Sequence, residues 1–581
     1  MEIRCWASAL VCFMMVGCGT IPADHPRSSE VSLDLKEPEA RAPDAQPFPL
    51  PYAEVEAEAG RTTGTYSEAS TTLHSPGAEA SGRRYVSLPP GARLVLVAPV
   101  AADSLVVRFS YPDGSGGEGQ EGELLVSSNS GLPVPLKITS RYSWEYGKPR
   151  WGTDDVWSGD PGLGSPRHFW DEANLRTEPM RAGTEVTLTN PAGARETVLV
   201  DLVDFEQVGP AVPPPEGSLV FSVSPQEAQG KVDLTERFQK AVDGARGRVL
   251  YVPEGTYRID TVYLGAVNVQ GAGLWRTRFV GPLSQFRFQG KTVRVADLAI
   301  FGETNTRNDN SDEGNGLAGN PGPDSLVERV WIEHKKCAYW VGNWGSQNPV
   351  TGLTLAECRF RDTMADGVNL CSGTNHTLVR DCLVRNTGDD SLAAWSPKNG
   401  GAAGGNNTFL HNLVQSPWVA SGIALYGGGP FVVEGNLVKD TVTTGSGIYV
   451  SASFAAWPFA GTVMVQGNWL IRAGAHESDP GFSTGAIRIL AGDASMAGAT
   501  YRFTDNTVVA PLESAVSIQG PRNAGTLVFD GLTVTDLGPD ALVVDVKRNA
   551  SGRGEFQRVT GDDPQHNRWI NDAAGDFTLV P

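Results

Sequence analysis

The 581-residue chain, with 68 Gly and 39 Pro, exceeds what one hydrophobic core usually organises, so at least two domains are expected. Its net charge of -19 disfavours nucleic acid and other polyanions as partners, because like charges repel across a broad interface, and a neutral polymer is the easier substrate. Abundant glycine and few long apolar patterns of helical period point to turn-rich β architecture.

Met1-Glu2-Ile3-Arg4 precedes an apolar run through Val16 that is too short to span a bilayer and reads as a signal-peptide core. The run ends in Met15-Val16-Gly17-Cys18, which resembles a bacterial lipobox. That resemblance implies cleavage, a lipid on Cys18, and an extracytoplasmic protein whose membrane contact is through the lipid. Residues 19–50 are rich in Pro, Ala and acidic side chains and read as a solvated tether.

From 51 to 210, short alternating runs such as Leu94-Val95-Leu96-Val97 and Val198-Leu199-Val200-Asp201-Leu202-Val203, separated by glycine-rich turns, predict a β-sandwich. Trp144, Tyr146, Trp151, Trp157 and Trp170 lie in its loop-like middle, where rings either stack on sugars or pack a core. Val55-Glu56-Ala57-Glu58-Ala59 and the strand around Asp201 resemble family 6 and 35 carbohydrate-binding modules, which are jelly rolls. The resemblance implies a structural Ca2+ held by Glu56, Glu58 and Asp201, hard oxygen ligands of the right kind.

The proline-rich segment 211–218 reads as a stiff linker. Beyond it, Asp233 opens a helical pattern through Val242, and Val249–Tyr257 reads as strand, turn and strand. Helix plus strand resemble the N-terminal cap and first coil of pectate-lyase-like right-handed parallel β-helices, the fold expected for 219–581. Internal repeats support it: polar or small residues recur inside apolar strand pairs at Cys358, Cys382, Asn412, Asn436, Asn468, Asn506 and Gly531, at intervals of 24, 30, 24, 32, 38 and 25 residues. The asparagines should form an internal amide ladder, and about ten coils are expected from a repeat of roughly 20 to 30 residues. Cys337, Cys358, Cys371 and Cys382 cluster in this region; they could pair in an oxidising compartment, but they lack zinc-ribbon spacing and small buried thiols are the commoner state.

Asp366 follows Cys358 by eight residues and Asp390 follows Cys382 by eight, so the two carboxylates should occupy equivalent places on neighbouring coils, with Asp389 beside them. Crowded carboxylates resist simultaneous ionisation, and a proton held near neutral pH is what a glycosidase acid requires. The strings Ala365-Asp366-Gly367-Val368-Asn369-Leu370, Asn386-Thr387-Gly388-Asp389-Asp390 and Ser421-Gly422-Ile423-Ala424-Leu425-Tyr426 resemble glycoside hydrolase family 87, the α-1,3-glucanases and mycodextranases. That resemblance implies inverting hydrolysis of an α-glucan by Asp366, Asp389 and Asp390, without a catalytic cofactor; which one is acid and which is base stays open. His334, Trp340, Trp395 and Tyr426 are candidates for lining the sugar subsites, with Trp457 and Trp469 weaker ones. The expectation is an endo-acting monomer on α-1,3-glucan or mixed α-1,3/α-1,4-glucan. The alternatives are a polygalacturonase-like hydrolase or lyase, and a non-catalytic surface glycan-binding protein.

Overall fold

The computed structural model describes residues 49–581 apart from 129–130, 148–157, 246, 312, 443, 479–481 and 574. The leader with Cys18, the tether through residue 48, and Trp151 and Trp157 lie outside the described residues.

The N-terminal part is an antiparallel sandwich. One sheet runs Thr65–Tyr66, Val86–Leu88, Val198–Glu206, Ala102–Ser110, Asp171–Met180, with Tyr52–Glu56 also paired to Val198–Glu206. The other runs Arg61–Thr62, Arg93–Val97, Glu185–Thr189, Glu121–Ser128, Val134–Thr139. Alternation decides what faces inward: in Arg93–Val97 only Leu94 and Leu96 are buried, and they join Val107, Phe109, Leu124, Val186 and Val200 in one core.

Residues 211–218 lie on the second domain, with Val212 N–H donating to Ala272 O at 2.9 Å and Tyr251 Oη to Val212 O at 2.6 Å. There the chain winds into a parallel β-helix, with a 12-stranded sheet and a 25-stranded sheet that wraps the remaining faces. The 12 strands exceed the ten or so coils expected, because the coils continue to Trp569–Asn571 near the C-terminus. The helix Thr235–Gly244 closes the N-terminal end; Asp233 Oδ1 accepts from Thr235 N at 2.9 Å, and Phe238 packs among Phe221, Phe279 and Phe286. Inside the coils, Asn436 Oδ1 accepts from Asn412 N and Nδ2, Asn468 Oδ1 from Asn436, and Asn506 Oδ1 from Asn468, so the expected ladder is present. Phe503, Phe529 and Phe556 stack in a second row at 4.3 and 4.5 Å. Cys337, Cys358, Cys371 and Cys382 are buried free thiols.

The two domains are joined by buried ion pairs of matched sign. The sandwich contributes Glu54, Glu172, Asp204 and Glu206; the β-helix contributes Arg359, Arg361, Arg385 and Lys439. Arg359 grips Glu206 with both Nη atoms at 2.8 and 2.7 Å, and Arg385 reaches Glu172 at 2.6 Å. Breaking such a pair by removing one partner costs about 3–5 kcal/mol, since the survivor stays buried and uncompensated. The sandwich is therefore a docked half of one unit.

Candidate active site

Parallel register fixes the carboxylates. Thr363 pairs with Thr387 and Val368 with Leu392, so the turn between each strand pair carries Asp366 and Asp390 at equivalent places. Gly367 N–H donates to Asp390 O at 3.2 Å, linking the two turns directly. Asp366, Asp389 and Asp390 each offer an oxygen within 4.8 Å of the others. Asp366 and Asp390 are only 5% and 3% exposed.

Burial, together with the charges of Asp389 and Asp390, pushes the Asp366 carboxyl well above the ordinary carboxylate range. Burial and Asp389 likewise raise Asp390 from 3.8 to about 8, against the opposing hydrogen bonds from Tyr426 and Ser421. Tyr426 Oη donates to Asp390 Oδ2 at 2.7 Å and Ser421 N–H to Oδ1 at 2.9 Å, while Asn369 Nδ2 donates to Asp366 Oδ1 at 3.1 Å. Arg307 pairs with Asp389 at 2.6 Å and with Asp309 at 2.9 Å. The patch thus combines carboxyls that keep a proton with one bound to a guanidinium.

Trp340, Asn369, Ala393, Ala424 and Tyr449 share one register row of the 12-stranded sheet. Their neighbours Tyr339, Val368, Leu392, Ile423 and Ile448 fill the helix interior, so the row faces outward, on the side of the carboxylates. Trp395 meets Trp340 edge-on at 6.4 Å and Trp344 at 5.4 Å, and Tyr426 sits between Tyr449 and Phe454. Trp340, Trp395 and Tyr426 therefore gather near the carboxylates as expected from sequence.

Two expectations need correction. His334 is taken by the domain interface: its Nε2 is 2.7 Å from Asp171 Oδ1 and its ring stacks on Tyr142 at 3.9 Å, which commits Nε2 and one ring face within the protein. Burial opposes its charge, but Asp171 prevails and holds the imidazole raised to about 9. Trp469 packs with Tyr52, Leu383, Leu413 and Leu437 on a different face. Of the sandwich aromatics, whose role the sequence leaves open, the described ones hydrogen-bond within the domain: Trp144 Nε1 donates to Tyr111 O, Trp170 Nε1 to Pro76 O, and Tyr146 Oη to Asp113 Oδ2. Glu56 and Glu58, expected with Asp201 to hold Ca2+, have buried carboxylate oxygens, and burial, helped by the charges of Asp201 and Glu58, raises the Glu56 carboxyl. Asp201 pairs with the Arg108 guanidinium and accepts from the Ser81 N–H, and Glu56 accepts from Ser81 Oγ at 2.6 Å. Trp457, in contrast, is 37% exposed, with its Nε1 tied to Gly401 O at 3.1 Å.

Arg307, Asn369 and Trp344 were not singled out from sequence. The signal available for Arg307 was the long polar insertion between the strands Arg294–Phe301 and Leu317–Asn320, an excursion that only a functional loop justifies.

A parallel β-helix bearing clustered, proton-holding carboxylates beside indoles on the outward side of one sheet has the features of a polysaccharide-processing enzyme. Two family models narrow this: α-1,3-glucanase catalytic domain D1 matches residues 49–208 and catalytic domain D2 residues 231–474. The catalytic unit of a thermostable GH87 α-1,3-glucanase from Streptomyces thermodiastaticus strain HF3-3 is 33% identical, covers 92% of this chain and 96% of its own, and superposes with a TM-score of 0.80. The chain belongs to glycoside hydrolase family 87. Two further structures share its fold: the catalytic domain of Agl-KA (24% identity, 92% of this chain, 98% of that one, TM-score 0.81), and a GH87 α-1,3-glucanase catalytic domain in complex with nigerose (21%, 92%, 99%, 0.78). No curated protein matches the sequence. Family membership makes the chain a glycoside hydrolase, in place of the lyase and the non-catalytic binder, and the sandwich is the first of its two catalytic-unit domains.

Proposed function

We propose that the protein is an exported, lipid-anchored endo-hydrolase that cleaves α-1,3-glucan with inversion, using Asp366, Asp389 and Asp390. The observation that carries this reading is the set of three carboxylates within 4.8 Å of one another. Asp366 and Asp390, raised by burial, supply a proton for the glycosidic oxygen, and an ionised member accepts one from the attacking water. A two-carboxylate inverting pair is usually about 6.5–9.5 Å apart. The nearest oxygens of this cluster are closer than that, so inversion is carried by the resemblance to family 87 and not by the spacing.

Trp340, Trp395 and the exposed Trp457 offer flat faces for pyranose rings along the sheet. A relative's complex with nigerose, whatever its low identity, fits an α-1,3 linkage as the substrate. Export and the anchor rest on the apolar leader ending at Cys18. Single Asp366→Asn, Asp389→Asn and Asp390→Asn variants, assayed for reducing ends from insoluble α-1,3-glucan, test the reading. Each should lose at least about a hundredfold in kcat, and full activity in all three would overturn it.

A further inference from the structure

We infer that His168 of the sandwich domain is a positioning residue for hydrolysis, bracing the Trp418 indole that sets the two turns carrying Asp366, Asp389 and Asp390. The inference rests on the catalytic reading of those aspartates.

Trp418 is buried where the two turns meet. Its main-chain N–H donates to Thr387 O at 2.8 Å, and its ring packs with Met364, two residues before Asp366. It also abuts Gly388, directly before Asp389: a Cβ on Gly388 would lie 2.5 Å from Trp418 Cζ2 and 2.5 Å from Met364 O. The indole, Met364 and the glycine backbone are thus in contact with no space to spare, so a shift of the ring moves both turns.

A face of the indole is covered by the sandwich domain. The His168 imidazole stacks on Trp418 at 4.3 Å with the planes 14° apart. Glu79 Oε2 holds the imidazole through Nδ1 at 3.1 Å and the next residue through Phe169 N–H at 3.1 Å, which fixes the ring's tilt. A second strut runs alongside. Arg108, paired with Asp201, donates to Asn386 Oδ1 at 3.1 Å, and Asn386 Nδ2 donates to Trp170 O at 2.8 Å and Asp362 Oδ1 at 2.6 Å. Asn386 and Asp362 both stand in the left-handed region, at φ 63° and 49°, one turn ahead of the catalytic aspartates. Such conformations persist where the surroundings over-determine them. The sandwich supplies that constraint from outside the helix, which explains why two domains form one catalytic unit.

Small displacements of reacting groups cost up to about a hundredfold in rate. Replacing His168 by Ala or Leu in the full chain should lower kcat on α-1,3-glucan by about ten- to a hundredfold, with KM changed less than about threefold. Spreading the turns also weakens the repulsion among the carboxylates, so the alkaline limb of kcat/KM should move to lower pH. His168→Phe keeps a flat face on Trp418 but gives up the Glu79 contact at Nδ1, so it should recover kcat in part, above the Ala and Leu variants. Glu54→Gln, which loosens the same interface at Lys439, should lower Tm without shifting the pH profile. The inference is overturned if the Ala or Leu variant keeps kcat within twofold, or if activity falls only with the folded fraction and the pH profile stays put. Asp390→Asn, run in parallel, separates the two failures: an active Asp390→Asn sinks the catalytic reading itself, whereas an inactive one beside a fully active His168→Ala sinks only the brace.

Discussion

The raised carboxyl of Asp390 makes the active site a stability cost that should be measurable. Below pH 3.8 the group is neutral in both folded and unfolded chains; between 3.8 and about 8 the unfolded chain ionises while the folded protein keeps its proton. Stability therefore falls as pH rises through that window and levels off above it. At ~1.4 kcal/mol per pH unit the ceiling is about 6 kcal/mol. Replacing the carboxylate by an amide recovers less, because Tyr426 and Ser421 both donate to it and an amide oxygen serves only one donor well. Asp390→Asn should thus be more stable than the parent by about 3 kcal/mol at pH 8, a few degrees in Tm, and less stable by about 2–3 kcal/mol at pH 4, where the poorer hydrogen bonding remains and almost no ionisation penalty is relieved. Thermal melts at pH 4, 6 and 8 read this directly. A variant that is destabilised at pH 8, or whose offset does not grow with pH, refutes the reasoning that burial and Asp389 hold a proton on this site.

Other substitutions test the supporting groups. Tyr426→Phe removes the hydroxyl donor to Asp390 and should lower kcat/KM by about tenfold while moving the alkaline limb up, since that hydrogen bond favours the ionised form. Arg307→Met leaves Asp389 and Asp309 without their guanidinium; kcat should fall by about ten- to a hundredfold, and the alkaline limb should again rise because Arg307 holds the Asp366 and Asp390 carboxyls down. Asn436→Leu strips two acceptances and two donations from the ladder, costing about 3 kcal/mol or more by denaturant melt, yet kcat per folded molecule should be unchanged.

What the sequence revealed follows from how local the determinants are. The phase of Asp366 and Asp390 was readable because a parallel coil repeats its register, and equal spacing from Cys358 and Cys382 becomes physical stacking. The asparagine ladder was readable for the same reason. His334 lies one coil ahead of Asp362 in an equivalent turn, so its nearness to the acidic face was a fair inference; its partner Asp171, 163 residues away in the sandwich, was invisible to spacing. The same holds for the Arg359, Arg361 and Arg385 pairs and for His168 against Trp418, where side chains meet only because two domains dock.

The central claim, that three close carboxylates hydrolyse an α-1,3 linkage with inversion, is tested most directly by proton NMR of a soluble α-1,3-gluco-oligosaccharide during the first minutes of hydrolysis. The β-anomer of the new reducing end should appear first and mutarotate to the α-anomer. Initial release of the α-anomer, or no release at all, would contradict the account.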